Sequence, residues 1–110
     1  MEAAAFVVQK HEISMLQYDF RVVFKDMIKS WAIFRGPSEQ KQLAIEVDHA
    51  DSLDCKLWDE GTCLIQQDLE AALKSGKLSL ILEGEKLRGY FVLQKLEKGN
   101  VWLFKKERIQ

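Results

Sequence analysis

The most constraining feature of the chain is a strict period of two over residues 16–24. Leu16, Tyr18, Phe20, Val22 and Phe24 alternate with Gln17, Asp19, Arg21 and Val23. A helix cannot place such a set on one side, because its side chains recur every 3.6 residues, whereas a strand turns successive side chains to opposite faces. The segment is therefore a strand with one apolar face and one polar face. Runs of the same kind occur at Phe6 to Gln9, Met27 to Phe34, Leu43 to Val47, Leu78 to Leu82, Leu87 to Leu96 and Val101 to Phe104. Turn residues such as Glu83-Gly84-Glu85 and Lys98-Gly99-Asn100 separate them, which gives about seven strands. One stretch breaks the pattern: Ile65, Leu69, Ala72 and Leu73 follow helical spacing, with Asp68 near the start and Gly76 just past the end, and predict a helix of about two turns. Short strands with hardly any helix to cross over between them favour antiparallel pairing. The expected fold class is mainly β, an antiparallel rolled sheet or β-barrel with one short helix.

The whole chain reads as a single domain over residues 1–110. It has no repeat, no low-complexity tract and a single proline, Pro37, within Arg35-Gly36-Pro37-Ser38. At 110 residues it can bury one core without disulfides or a structural metal. Cys55 and Cys63 fit no zinc spacing, and both are expected as buried thiols. Trp31, Trp58 and Trp102 lie in strand-like patterns and are expected in the core. Apolar runs fall far short of the roughly 20 residues of a membrane span, and no secretory leader pattern opens the chain. The expectation is no membrane partner and a cytoplasmic location. With 16 Lys and Arg against 17 Asp and Glu, bulk charge gives no argument for a nucleic-acid partner. The terminal cluster of Lys105, Lys106 and Arg108 reads as a solvated terminus.

Chemistry is confined to the polar face of the strand from Leu16 to Phe24. Gln17, Asp19 and Arg21 stand in a row, with His11 just upstream. In most sheets such a row is only a solvated face. Imidazole, carboxylate and amide also form a nitrogen and oxygen donor set for a divalent ion, while Arg21 and the Asp48-His49 pair offer donors to a phosphate. Metal, arginine and histidine together suit phosphoester cleavage. Neither a Gly-rich phosphate loop nor a serine nucleophile elbow is present.

The chain resembles the 3′-phosphoesterase domain of DNA ligase D. The resemblance rests on Phe6-Val7-Val8-Gln9-Lys10-His11, Leu16-Gln17-Tyr18-Asp19-Phe20-Arg21, Ser30-Trp31-Ala32, Arg35-Gly36-Pro37-Ser38 and Asp48-His49. It continues through Trp58-Asp59-Glu60-Gly61-Thr62, Gly84-Glu85-Lys86-Leu87-Arg88-Gly89 and Trp102-Leu103-Phe104-Lys105. The resemblance implies a crescent-like barrel whose concave side holds manganese and the phosphate of a DNA or RNA 3′ end. It also implies removal of a 3′-phosphate or 3′-terminal ribonucleotide. Carried over, His11, Gln17 and Asp19 stand at the metal-ligand positions, Arg21, Arg35 and His49 at the phosphate, and Arg21 and His49 are the catalytic pair. The implied partners are nucleic-acid 3′ ends and a separate ligase or polymerase, with the domain itself a monomer.

Several positions depart from that family. Gln17 replaces the histidine that is the third metal ligand, and an amide oxygen holds manganese less well than imidazole. Leu53 replaces a phosphate-contacting tyrosine, and Gln42 an arginine. The loop between His49 and Trp58 is short, and the five residues before Phe6 do not supply the family's N-terminal arm. The expectation is a weakened phosphoesterase, with a noncatalytic module that binds nucleic-acid ends or a repair partner as the alternative.

Overall fold

A computed structural model describes residues 2–12, 16–38, 40–47, 55–97 and 99–107. The elements are β1 (Glu2–His11), β2 (Gln17–Phe24), β3 (Met27–Ile33), β4 (Gln42–Val47), β5 (Cys55–Ile65), α1 (Leu69–Ser75), β6 (Lys77–Glu83), β7 (Arg88–Lys95) and β8 (Val101–Lys106). The eight strands close into one barrel in the order β1-β2-β3-β4-β8-β7-β6-β5, every pairing antiparallel. Two four-strand meanders are thus joined edge to edge, and each strand has a paired neighbour on both sides over part of its length. The expected β-barrel is correct. The largest differences are that β1 runs from Glu2 to His11 rather than Phe6 to Gln9, and that β5 is an additional strand.

The core follows from the alternation. Phe6, Phe20, Trp31, Trp102 and Phe104 point inward and are at most 1% exposed. An eight-stranded barrel is just wide enough for side chains to fill it. Phe20 and Phe91 each pack their ring 5.2 Å from that of Phe104, and Trp31 meets Trp102 edge-on at 5.6 Å. Trp58 is only half-buried, edge-on to Tyr18 at 5.4 Å with the Lys86 ammonium over its ring.

Helix α1 starts and stops where its residues dictate. The Asp68 carboxylate accepts the Ala71 N–H at 3.2 Å, and Gly76, at φ 82°, donates its N–H to the Ala72 carbonyl. Leu69 and Ala72 bury the helix's apolar side in the core. Among the described residues no helix is long and apolar enough to cross a membrane.

Candidate functional site

The polar row lies on the outer wall, because the inward residues of the same strands, Val8 and Phe20, are committed to the core. Register fixes the neighbours. His11 pairs with Gln17, Gln9 with Asp19 and Val7 with Arg21 across β1 and β2, while Asp19 pairs with Ala32 and Arg21 with Ser30 across β2 and β3. His11 is therefore the last residue of β1, directly opposite Gln17.

The Asp19 carboxylate is the hub of the group. His11 Nε2 lies 2.6 Å from its Oδ2, Gln17 Nε2 donates to its Oδ1 at 2.8 Å, and an Arg21 guanidinium nitrogen is 3.6 Å from Oδ2. Although on the outer wall, Asp19 is only 7% exposed, and its neighbours Ser30 and Ala32 are 3% and 2% exposed. A carboxylate this sheltered is held by the N–H groups around it, since an uncompensated buried charge is costly. Two further polar groups border the row that sequence reasoning missed. Gln9 Oε1 and Ser30 Oγ are buried without a hydrogen-bond partner, a condition uncommon in folded proteins and frequent where a ligand or ordered water completes the site. Only their place opposite Asp19 and Arg21 reveals them, and place requires the register.

His11 and Asp19 supply an imidazole nitrogen and a carboxylate oxygen that converge, the donor types a hard divalent ion takes. Gln17 turns an N–H toward Asp19, and must rotate its amide to offer Oε1 instead. Among the described residues no three His, Cys, Asp or Glu side chains form a group able to hold a metal ion. The donor set thus amounts to two strong ligands and one neutral amide.

The remaining expected residues separate. Arg35 lies beyond the end of β3, exposed, in a cleft shared with Phe34, Lys41, Gln42 and Leu43. Gly36 beside it has φ 84°, and a Cβ there would come within 2.9 Å of the Tyr18 ring, so glycine is required for the turn to pass. Asp48, His49, Leu53 and Arg108 lie outside the described residues. Lys105 pairs with Glu107 at 3.6 Å, and the Lys106 ammonium lies over the Phe91 ring. Cys63 is buried as expected, but Cys55 is only half-buried, because it sits opposite His11 on the outer wall. The Cys63 thiol is free.

No protein-family model matches the chain. It is 37% identical over 103 residues to the multifunctional non-homologous end joining protein LigD of Pseudomonas aeruginosa, a match covering 76% of the chain and 12% of the relative. This chain is related to LigD. It spans a small fraction of that relative's length.

Proposed function

We propose that the domain recognises the phosphate-bearing 3′ end of a nucleic acid during DNA end joining and, with manganese, removes a 3′-phosphate or 3′-terminal ribonucleotide. The observation that carries this reading is the hub at Asp19, where an imidazole at 2.6 Å and a guanidinium at 3.6 Å meet one sheltered carboxylate. The relation to LigD, an end-joining protein by name, supports the same context.

In this reading His11 and Asp19, with Gln17 Oε1 as a weak third donor, hold the ion. When bound, manganese would neutralise charge on the phosphoryl oxygens. Arg21 binds the phosphate through charge-assisted hydrogen bonds, held in place by its contact with Asp19. Arg35 adds a cation past the end of β3, and His49, assigned by the resemblance, protonates the leaving oxygen. The product 3′-hydroxyl is the group a polymerase or ligase uses, so such a chain is the proposed partner of a monomeric domain.

One observation favours the noncatalytic alternative. The Gln17 N–H occupies Asp19 Oδ1 at 2.8 Å, where an imidazole ligand would leave that oxygen open. Titrating manganese while following His11 ring signals and 3′-phosphate release from a primer-template decides between them. Selective broadening at His11 with phosphate release supports the phosphoesterase. An intact primer and unbroadened signals at millimolar metal overturn it and leave an end-binding domain. Gln17→His should raise metal affinity in either case, but only in the first should it raise the rate.

A further inference from the structure

Past the end of β3 the wall opens into a cleft of 330 Å³ lined by Phe34, Arg35, Lys41, Gln42 and Leu43. Its composition differs from ordinary surface. Phe34 is 44% exposed and Leu43 55%, so two large apolar side chains have area left to bury. Among the described residues, both charged lining residues are cations. Gln42 donates its amide N–H to Ser38 Oγ at 2.6 Å, and its Oε1 is buried without a partner, an acceptor that gains from any donor brought to it.

The opposite end of the β2–β3 hairpin has the reverse character. There Glu2, Asp26, Asp68 and Glu70 outnumber Lys25 around a second cleft. Among the described residues lining the two clefts, charge thus divides into an acidic set at one end and a basic set at the other, which the chain's net charge of −1 conceals. A polyanion is repelled from the first end and drawn to the second.

We propose that the Phe34 cleft binds one nucleotide of a single-stranded nucleic acid, its base stacked on Phe34 against Leu43. Arg35 and Lys41 hold the adjoining phosphates, and Gln42 Oε1 accepts a hydrogen bond from a base N–H. An aromatic face flanked by cations is how single strands are bound without strong sequence preference. The placement is consistent with the site already described. Phe34 follows Ala32 by two residues, and Ala32 is paired with Asp19. Phe34 is the first residue past β3, so the cleft borders the strand paired with the Asp19 hub. The inference rests on the proposed reading for its substrate class and extends it from the terminal phosphate to the neighbouring nucleotide.

The test is the affinity of fluorescent oligothymidylate, with a 3′-hydroxyl or a 3′-phosphate, for wild type, Phe34→Ala and Phe34→Trp. Phe34→Ala should weaken binding of both strands about tenfold, and Phe34→Trp should retain it. Because Phe34 is exposed, unchanged circular dichroism and melting are expected to accompany the loss. If the wild type prefers the 3′-phosphate and Phe34→Ala binds equally well, the cleft proposal is overturned while the end-recognition reading stands. If Phe34→Ala weakens binding and the 3′-phosphate confers no preference, the end reading fails and the cleft stands. Loss of self-association in Phe34→Ala with unchanged strand affinity would make the cleft a contact between copies and overturn the proposal.

Discussion

Asp19 gathers its polar neighbours around one sheltered carboxylate. Its carboxylate is the acceptor for Gln17 and His11 and faces Arg21, so Asp19→Ala removes their shared acceptor from a sheltered position. A loss of about 3 kcal/mol in urea unfolding is expected, against about 1 kcal/mol for Gln17→Leu, which removes one of the donors. Glu46 makes a second prediction with a definite sign. Burial raises its pKa, but hydrogen bonds from Lys29 at 2.7 Å and Trp102 at 3.0 Å outweigh burial and hold the carboxyl below the ordinary glutamate value. A folded pKa below the unfolded one contributes stability that is fully present above the unfolded pKa and lost as pH falls through the folded one. Wild type should therefore lose stability relative to Glu46→Gln below about pH 4.5, and the two unfolding curves should converge as acid is added. Burial also pushes the Cys63 thiol up to about 12, so thiol reagents near neutral pH should leave Cys63 unlabelled until denaturant is added.

At the scale of elements, the turn between β6 and β7 is held by a residue from a different hairpin. Asp59 of β5 accepts the N–H groups of Glu85 at 2.9 Å, Lys86 at 3.1 Å and Leu87 at 2.8 Å. Gly84 is required beside it, since a Cβ there would lie 2.5 Å from Asp59 Oδ2 and 2.6 Å from the Phe6 ring. Asp59→Asn turns one acceptor into a donor facing N–H groups. It should cost about 2 kcal/mol and speed hydrogen exchange at Glu85 and Leu87 while leaving α1 protected. The same strand explains what was legible in the sequence and what was not. Strand β2 was readable because all its inward positions are apolar, and α1 because its spacing and both caps agree. Strand β5 was hidden because Asp59 and Gly61 interrupt its apolar pattern. The β1–β5 register also shifts between Val8 and Gln9, where Asp59 and then Leu57 are the partners and Trp58 is passed over. That bulge changes the phase of the alternation, and no period-two pattern survives it. At the site, the row of Gln17, Asp19 and Arg21 was legible from period alone. The hydrogen bond between His11 and Asp19 was not, because it needs β1 extended to residue 11 and registered against β2.

On the scale of the whole molecule, the site is the outer side of the core. Gln9 and Asp19 pair on the wall next to Val8 and Phe20, which pair toward the interior. A slip of one residue would exchange the two sets, so interior packing sets the register of the site. Phe20 carries much of that packing, with its ring centroid 5.8 Å from Phe6, 6.4 Å from Trp31 and 5.2 Å from Phe104. Phe91 on β7 is its counterpart, buried at 1% and stacked on Phe104 at 5.2 Å. In the closed order β7 stands four strands from β2 in either direction, on the far side of the barrel. Phe20→Leu and Phe91→Leu remove equal volumes from one core and should destabilise it by similar amounts, about 1–2 kcal/mol each. Their effects on the site should differ. Phe20→Leu loosens the strand that carries Asp19 and Arg21, and should shift the His11 ring signals and weaken the 3′-phosphate preference that the proposed function predicts. Phe91→Leu, equally costly in urea, should leave both unchanged. If both variants moved His11 alike, the barrel would be transmitting strain as one rigid body, and the local coupling of core register to site geometry would be refuted.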